Sequence, residues 1–435
     1  MTADPDTGRP AEDAGYRARR EAEVRHLTSG LTDELEDWIL AARRKDPWEK
    51  HRSQIESAAR VVSGALRRLQ ELPPAEHEQR APELVLDLHH LWDFFRTKLL
   101  ARHIPRYRTF LDAADELAWA VYGPVRDAVP DRSGLKEPPL VFLNRHPVPF
   151  ATPRGSDFED LLPAGRQRTL GGRRASRYLP FPLVGVPWSA GHHLPTLLAV
   201  AHETGHHIED DFALAEPLRT RLEERSGLAE EGIARWKGWL GETFADVCAT
   251  LACGEAYVWA LGDMLNGAGR TGGTGDGTYP PLRTRLLVCR AALATGPGGA
   301  TPVLPPLGSP QPEDTETEAV VAALTGEGFA ELGGATLGSL IGLRRTDGLG
   351  EAVDRLLAGL WSRRGDVTGV LAAATLAFVR SPRLYDGQGV GDRALAEVLS
   401  LVPDGPRAAP APDTEPARRD DTAGRELLDL LVSGG

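Results

Sequence analysis

Apolar residues recur every three or four positions through most of the first 130 residues, as in Leu84, Leu88, Leu91 and Phe95, which gives each stretch one apolar helical face. The helical stretches run over Glu12–Arg44, Trp48–Leu72, Glu83–Arg102 and Tyr107–Val129, and they break at Pro47, Pro73-Pro74 and Pro105, because proline disfavours helix in the residue before it. Together they predict a helical bundle. The pattern then shortens to β-like runs, Leu140–Leu143 and Tyr178–Val186. Pro180 and Pro182 assign the second run to a sheet edge or an extended loop, since each removes a ladder donor. Helical spacing returns from about Pro195 to Asp211, from Glu230 to about Leu261, from Leu282 to Ala294, and in a smaller unit from Glu318 to Leu401. The apolar run Val367–Val379 is shorter than the ~20 residues of a membrane span and reads as a buried helix. Between these elements Gly267–Gly277 reads as a mobile loop and Gly296–Thr317 as an interdomain linker. Pro403–Thr422 reads as a disordered tail before a short amphipathic end, Glu426–Val432.

The expected architecture is mainly α (α+β) with a small β-sheet. It divides into an N-terminal helical region (1–135), a core (136–295), a linker (296–317), a C-terminal helical region (318–402) and a mostly disordered tail (403–435). The 41% hydrophobic content is enough for at least one sizeable core. A formal charge of -12 argues against a nucleic-acid partner, which would need a broadly basic surface. One local exception, Arg166, Arg168, Arg173, Arg174 and Arg177, reads either as a solvated loop with structural counter-ions or as a contact for an acidic partner. The three cysteines Cys248, Cys253 and Cys289 are too few for a disulfide scaffold and form no CxxC pair. With a polar N-terminus lacking an apolar signal region and no membrane span, the expectation is a cytoplasmic protein. Oligomeric state is not readable.

Chemistry enters at His202-Glu203-Thr204-Gly205-His206. On a helix, positions i and i+4 stack on one face, so both imidazoles can reach one ion while Glu203 reaches the attacking water. Downstream, Glu242-Thr243-Phe244-Ala245-Asp246 supplies Glu242 as a third ligand. Two imidazoles and one carboxylate leave a tetrahedral position open, the arrangement of a catalytic zinc site rather than a closed structural one. The neighbours Phe244, Ala245, Val247, Cys248 and Leu251 make that helix apolar, and carboxylates buried there without partners would be costly. Asp246, one turn on, can accept a hydrogen bond from the outer nitrogen of a zinc histidine. One Zn2+ per chain is therefore expected on His202, His206 and Glu242. Gly205 costs about 1 kcal/mol against alanine in a helix and predicts a close backbone approach. His207 points about 100° away from His206, His192 and His193 precede the helix, and the adjacent His89 and His90 cannot converge on one ion.

The blocks HETGH and ETFAD are similar to those of gluzincin metallopeptidases, and the HExGH form with a later ExxAD resembles the HtpX-type and CaaX-processing zinc peptidases. Tyr279-Pro280-Pro281-Leu282-Arg283-Thr284-Arg285-Leu286 resembles their HPPLxxRI stretch, with Tyr279 in place of the histidine. The likeness covers roughly residues 175–295. It implies a zincin-like catalytic core, a peptide or protein substrate and, at Arg285, a further site residue; the family's membrane spans are not carried over. Glu203 would act as general base and return the proton to the leaving amine. No histidine follows His207, so the oxyanion donor is sought among Tyr257, Tyr279 and Arg285. The alternatives to a peptidase are a catalytically silent zinc-site binding protein and a zinc hydrolase of a non-peptide amide.

Overall fold

The computed structural model describes residues 14–44, 47–131, 136–154, 180–267, 279–295, 305–307, 309–342, 348–407 and 415–433. The arginine-rich segment from Arg166 to Arg177, the glycine-rich loop beyond Gly267 and the beginning of the expected linker lie outside these residues. The architecture is mainly α with one small sheet. The chain divides into two compact units, one of residues 1–97, 155–180 and 409–435 and one of 98–154 and 181–408. Five sequential regions were expected; instead the helices of 318–402 and the helix after Pro105 fall in the same unit as the HETGH segment.

The first unit contains α1 (Ala14–Ala42), α2 (Arg52–Gln70), most of α3 (Pro74–Leu100) and a C-terminal helix, Glu415–Ser433. Helix α3 starts at Pro74, ahead of the expected Glu83, because Pro74 fits a first turn, where its missing N–H has no intrahelical role. The C-terminal helix contains the expected amphipathic end, Glu426–Val432, and extends it back to Glu415, into the stretch expected as disordered. Its Leu427, Leu428 and Leu431 are buried, and it crosses α2 at a pair of glycines. A Cβ on Gly64 would come 2.8 Å from the Asp421 carbonyl, and one on Gly424 would overlap the Val61 carbonyl. Charge then complements the close approach: Arg60 pairs with Asp420 at 3.2 Å, Arg68 with Asp429 at 2.8 Å and Arg425 with Glu71 at 2.8 Å. Composition alone reads the segment as disordered because its stabilisation comes from contacts with α2.

The second unit holds α4 (Pro105–Ala128), strands β1 (Leu140–Asn144), β2 (Phe150–Thr152) and β3 (Leu183–Pro187), then α5 (Ala199–Asp211), α6 (Ala215–Arg225), α7 (Glu230–Gly238), α8 (Leu240–Cys253), α9 (Glu255–Gly267) and α10 (Leu282–Ala294). It closes with α11 (Thr317–Thr325), α12 (Leu337–Ile341), α13 (Leu349–Leu357), α14 (Val367–Arg380), α15 (Pro382–Gly387) and α16 (Val390–Ser400). The stretch expected as one helical block from Glu230 to Leu261 is three helices. Gly254, at φ 62°, separates α8 from α9 in a conformation that favours glycine. Helix α14 is the buried apolar run anticipated at Val367–Val379.

The sheet order is β1-β3-β2, with β1 parallel and β2 antiparallel to β3. The second β-like run is therefore a central strand and not an edge. The conflict with its prolines disappears because Pro180 and Pro182 precede the paired stretch, and the Pro182 carbonyl accepts the Leu140 N–H at 3.0 Å. Val141, Leu143, Val184 and Val186 point into the core shared with α4 and α5. Helix α5 packs on β2 and β3, and His207 ties it to β3 by an imidazole Nε2 contact of 3.0 Å to the Leu183 carbonyl. Among the described residues, no helix is long and apolar enough to cross a membrane.

Asp211 anchors the far end of α5. Its carboxylate accepts from the Tyr122 hydroxyl at 2.7 Å and from Arg154 Nε at 3.1 Å, while Lys136 donates to its carbonyl at 2.5 Å. Burial alone would raise the Asp211 carboxyl, but Arg154, with help from Tyr122 and Lys136, holds it below its usual value. A lowered carboxyl pKa stabilises the fold fully above about pH 4 and loses that contribution as the pH falls through the native value. Asp211→Asn is thus expected to lower stability at pH 7 and to flatten its decline below pH 4, measured by urea unfolding at several pH values; an unchanged acid limb would refute the anchor. Beyond it the chain leaves α5 by a Schellman turn, with Leu214 N–H on the Glu209 carbonyl at 2.9 Å and Ala213 at φ 55° where glycine is usual. Ala213→Gly should raise stability by about 0.5–1 kcal/mol, readable as a higher Tm; a lower one would contradict the strain.

Candidate metal centre

Helices α5 and α8 lie side by side because Gly205 has no side chain. A Cβ there would sit 2.8 Å from the Ala245 Cα and 3.2 Å from the Ala245 and Cys248 Cβ atoms. This is the close approach that the glycine predicted. It places His202 and His206, one turn apart on α5, opposite Glu242 in the first turn of α8. The two imidazole rings are 4.9 Å apart and nearly perpendicular, at 87°. Glu242 spans them, with Oε2 3.4 Å from His202 Nε2 and Oε1 3.4 Å from His206 Nε2. One carboxylate oxygen thus faces each imidazole nitrogen. One donor atom from each of the three residues falls within 4.8 Å of the other two. His202 and Glu203 are buried, whereas His206 and Glu242 keep partial exposure, so the cluster opens to solvent on one side.

Behind the cluster, Asp246 gathers three partners. Arg285 on α10 donates to it through Nε at 2.7 Å and Nη2 at 2.8 Å, and the Tyr257 hydroxyl on α9 donates at 2.6 Å. His202 Nδ1 lies 3.0 Å from the same carboxylate and 3.1 Å from the Tyr257 oxygen. This fixes Nδ1 as the protonated nitrogen and presents Nε2 to the cluster, the arrangement that orients metal-binding histidines. Arg285 Nη2 also reaches Glu242 Oε2 at 3.2 Å.

The electrostatics are those of a site short of positive charge. Burial would raise Asp246, yet Arg285 holds it down to about 2, and contacts with both histidines and Arg285 hold Glu242 well below the usual carboxylate range against its own burial. Burial would likewise lower His202, but Asp246 and Glu242 lift it to about 10. The protein thus draws a proton onto an imidazole where a cation would otherwise balance the charge. Glu203, Glu242 and Asp246 against Arg285 leave two negative charges uncompensated when the imidazoles are neutral, which a divalent ion would cancel. Burial also raises the Glu203 carboxyl, with His202 and His206 opposing. That suits a group that must hold a proton transiently.

The remaining sequence candidates separate clearly. Tyr257, only 1% exposed, is committed to Asp246 and His202, and Arg285 bridges Asp246 and Glu242, so both position the cluster from behind. Tyr279 stands 54% exposed ahead of α10. His207 is spent on the Leu183 carbonyl, and His89 contacts the Leu27 carbonyl. Cys248, Cys253 and Cys289 are free, buried thiols, raised by burial far from reactivity. Sequence reasoning misses the positioning role of Tyr257 because its partner His202 lies 55 residues away. Comparison with protein-family models, with curated proteins and with solved structures finds no significant match.

Because Asp246 and Glu242 lift the His202 imidazole to about 10, zinc binding at pH 8 is expected to release about one proton per site. Calorimetric titration in buffers of different ionisation enthalpy measures it; zinc binding without proton release would contradict the charge balance.

Proposed function

We propose that the second unit is a zinc-dependent peptidase. The observation that carries the reading is the 3.4 Å spacing of Glu242 to both imidazole Nε2 atoms, with a carboxylate, Glu203, on the same helix as the histidines. A zinc ion there would supply Lewis acidity, polarising a carbonyl and making water acidic near neutral pH. His202, His206 and Glu242 would hold it, and Asp246, Tyr257 and Arg285 would keep His202 and Glu242 in register. Glu203 takes the proton of the attacking water into a buried carboxylate and returns it to the leaving amine. With Tyr257 and Arg285 held in ion pairs and hydrogen bonds to Asp246 and Glu242, the exposed Tyr279 is the candidate left without such a commitment for the oxyanion.

A peptide substrate fits the sheet better than a small amide does. Among the described residues β2 pairs on one side only, with β3, and it lies against α5. Its outer backbone groups can align an extended chain by strand addition. Three free buried thiols fit a reducing compartment such as the cytoplasm.

The reading is tested by metal content and turnover together. Glu242→Ala is expected to lose zinc, whereas Glu203→Gln retains it and cuts cleavage of a peptide library by about 10²–10⁴-fold. A zinc-loaded wild type that cleaves nothing would favour a silent binding site, and a Glu203→Gln variant of full activity would remove the base.

A further inference from the structure

His202 and His206 are held unequally. The outer nitrogen of His202 is bracketed by Asp246 at 3.0 Å and Tyr257 at 3.1 Å. The outer nitrogen of His206 instead faces Gly241, where a built Cβ would lie 4.0 Å from His206 Nδ1 and 3.2 Å from Glu209 Oε2. Imidazole and carboxylate thus flank the one small space that a side chain at 241 would fill. Glu209 sits one turn beyond His206 on α5 and is half-buried. Residues three apart on a helix are neighbours, so a rotamer change brings this carboxylate to the imidazole without moving the backbone. The nearby cation that could compete for it, Arg219, pairs with Glu216.

We propose that Glu209 is the positioning residue of His206. It turns into the gap over Gly241, accepts the Nδ1–H and leaves Nε2 free to ligate. The inference rests on the zinc reading of the cluster. It gives each histidine its own carboxylate, Asp246 from α8 for the first and Glu209 from α5 for the second. Gly241 then has a purpose: any side chain there would occupy the path of the carboxylate.

The test uses the full chain, zinc alone as probe, a competing chelator to read affinity, and nitrogen-resolved NMR of the histidine rings to read the tautomer. Glu209→Ala is expected to weaken zinc binding about 10–100-fold and to shift the His206 ring nitrogens while those of His202 stay in place. Glu209→Gln, which keeps an acceptor and the side-chain volume, should recover most of the affinity. Asp210→Asn, altering the exposed carboxylate next along the helix, should change neither readout. Equal zinc affinity and an unchanged His206 tautomer in Glu209→Ala would overturn this inference alone. A wild type that binds no zinc would overturn the zinc reading and this inference with it.

Discussion

A missing methyl group sets the geometry of the site. Gly205 lets the backbone of α5 come within 2.8 Å, measured to the place a Cβ would take, of the Ala245 Cα on α8. Any larger side chain would push the two helices apart, and Glu242 would no longer span His202 and His206. The glycine weakens α5 as an isolated helix, and packing against α8, β2 and β3 offsets that cost. The same helix is pinned at two further points, His207 on the Leu183 carbonyl and Asp211 on Tyr122 and Arg154. Both histidines therefore leave a rigid stretch of backbone, as a site with sub-ångström demands requires.

The second constraint is electrostatic. Buried carboxylates persist only where something neutralises them, and Asp246 is fully enclosed among Arg285, Tyr257 and His202. Arg285 balances one charge, yet Asp246 and, after it, Glu242 still lift the His202 imidazole to about 10 against its burial. A cation at the His-His-Glu cluster satisfies the same demand with better geometry, since the three donors already converge on the solvent-open side.

The candidate ligands are legible in the sequence because their spacing is local, four positions from His202 to His206 and four from Glu242 to Asp246, and helices turn such spacing into shared faces. The roles of Tyr257 and Arg285 are not, since both depend on α9 and α10 folding back on α8, contacts that no periodicity encodes. The mainly α class with a small sheet is readable from the periodicities. Strand order is not: prolines at 180 and 182 argue for an edge, and only the register with Leu140 shows that they lie outside the ladder. Strand β2 has three residues, too few for an alternating pattern to stand out. The C-terminal helix is half legible: Glu426–Val432 reads as an amphipathic end, but the first half does not, because its glycine and its acidic residues make sense only against Gly64 and the arginines of α2.

The central claim is that His202, His206 and Glu242 hold a zinc ion by nitrogen and oxygen donors. X-ray absorption at the zinc edge of the zinc-loaded full chain tests it most directly. The account predicts a first shell of four light donors at about 2.0–2.1 Å, outer-shell scattering from two imidazoles, and no sulfur. A sulfur shell near about 2.3 Å, or a spectrum lacking imidazole scattering, would contradict it.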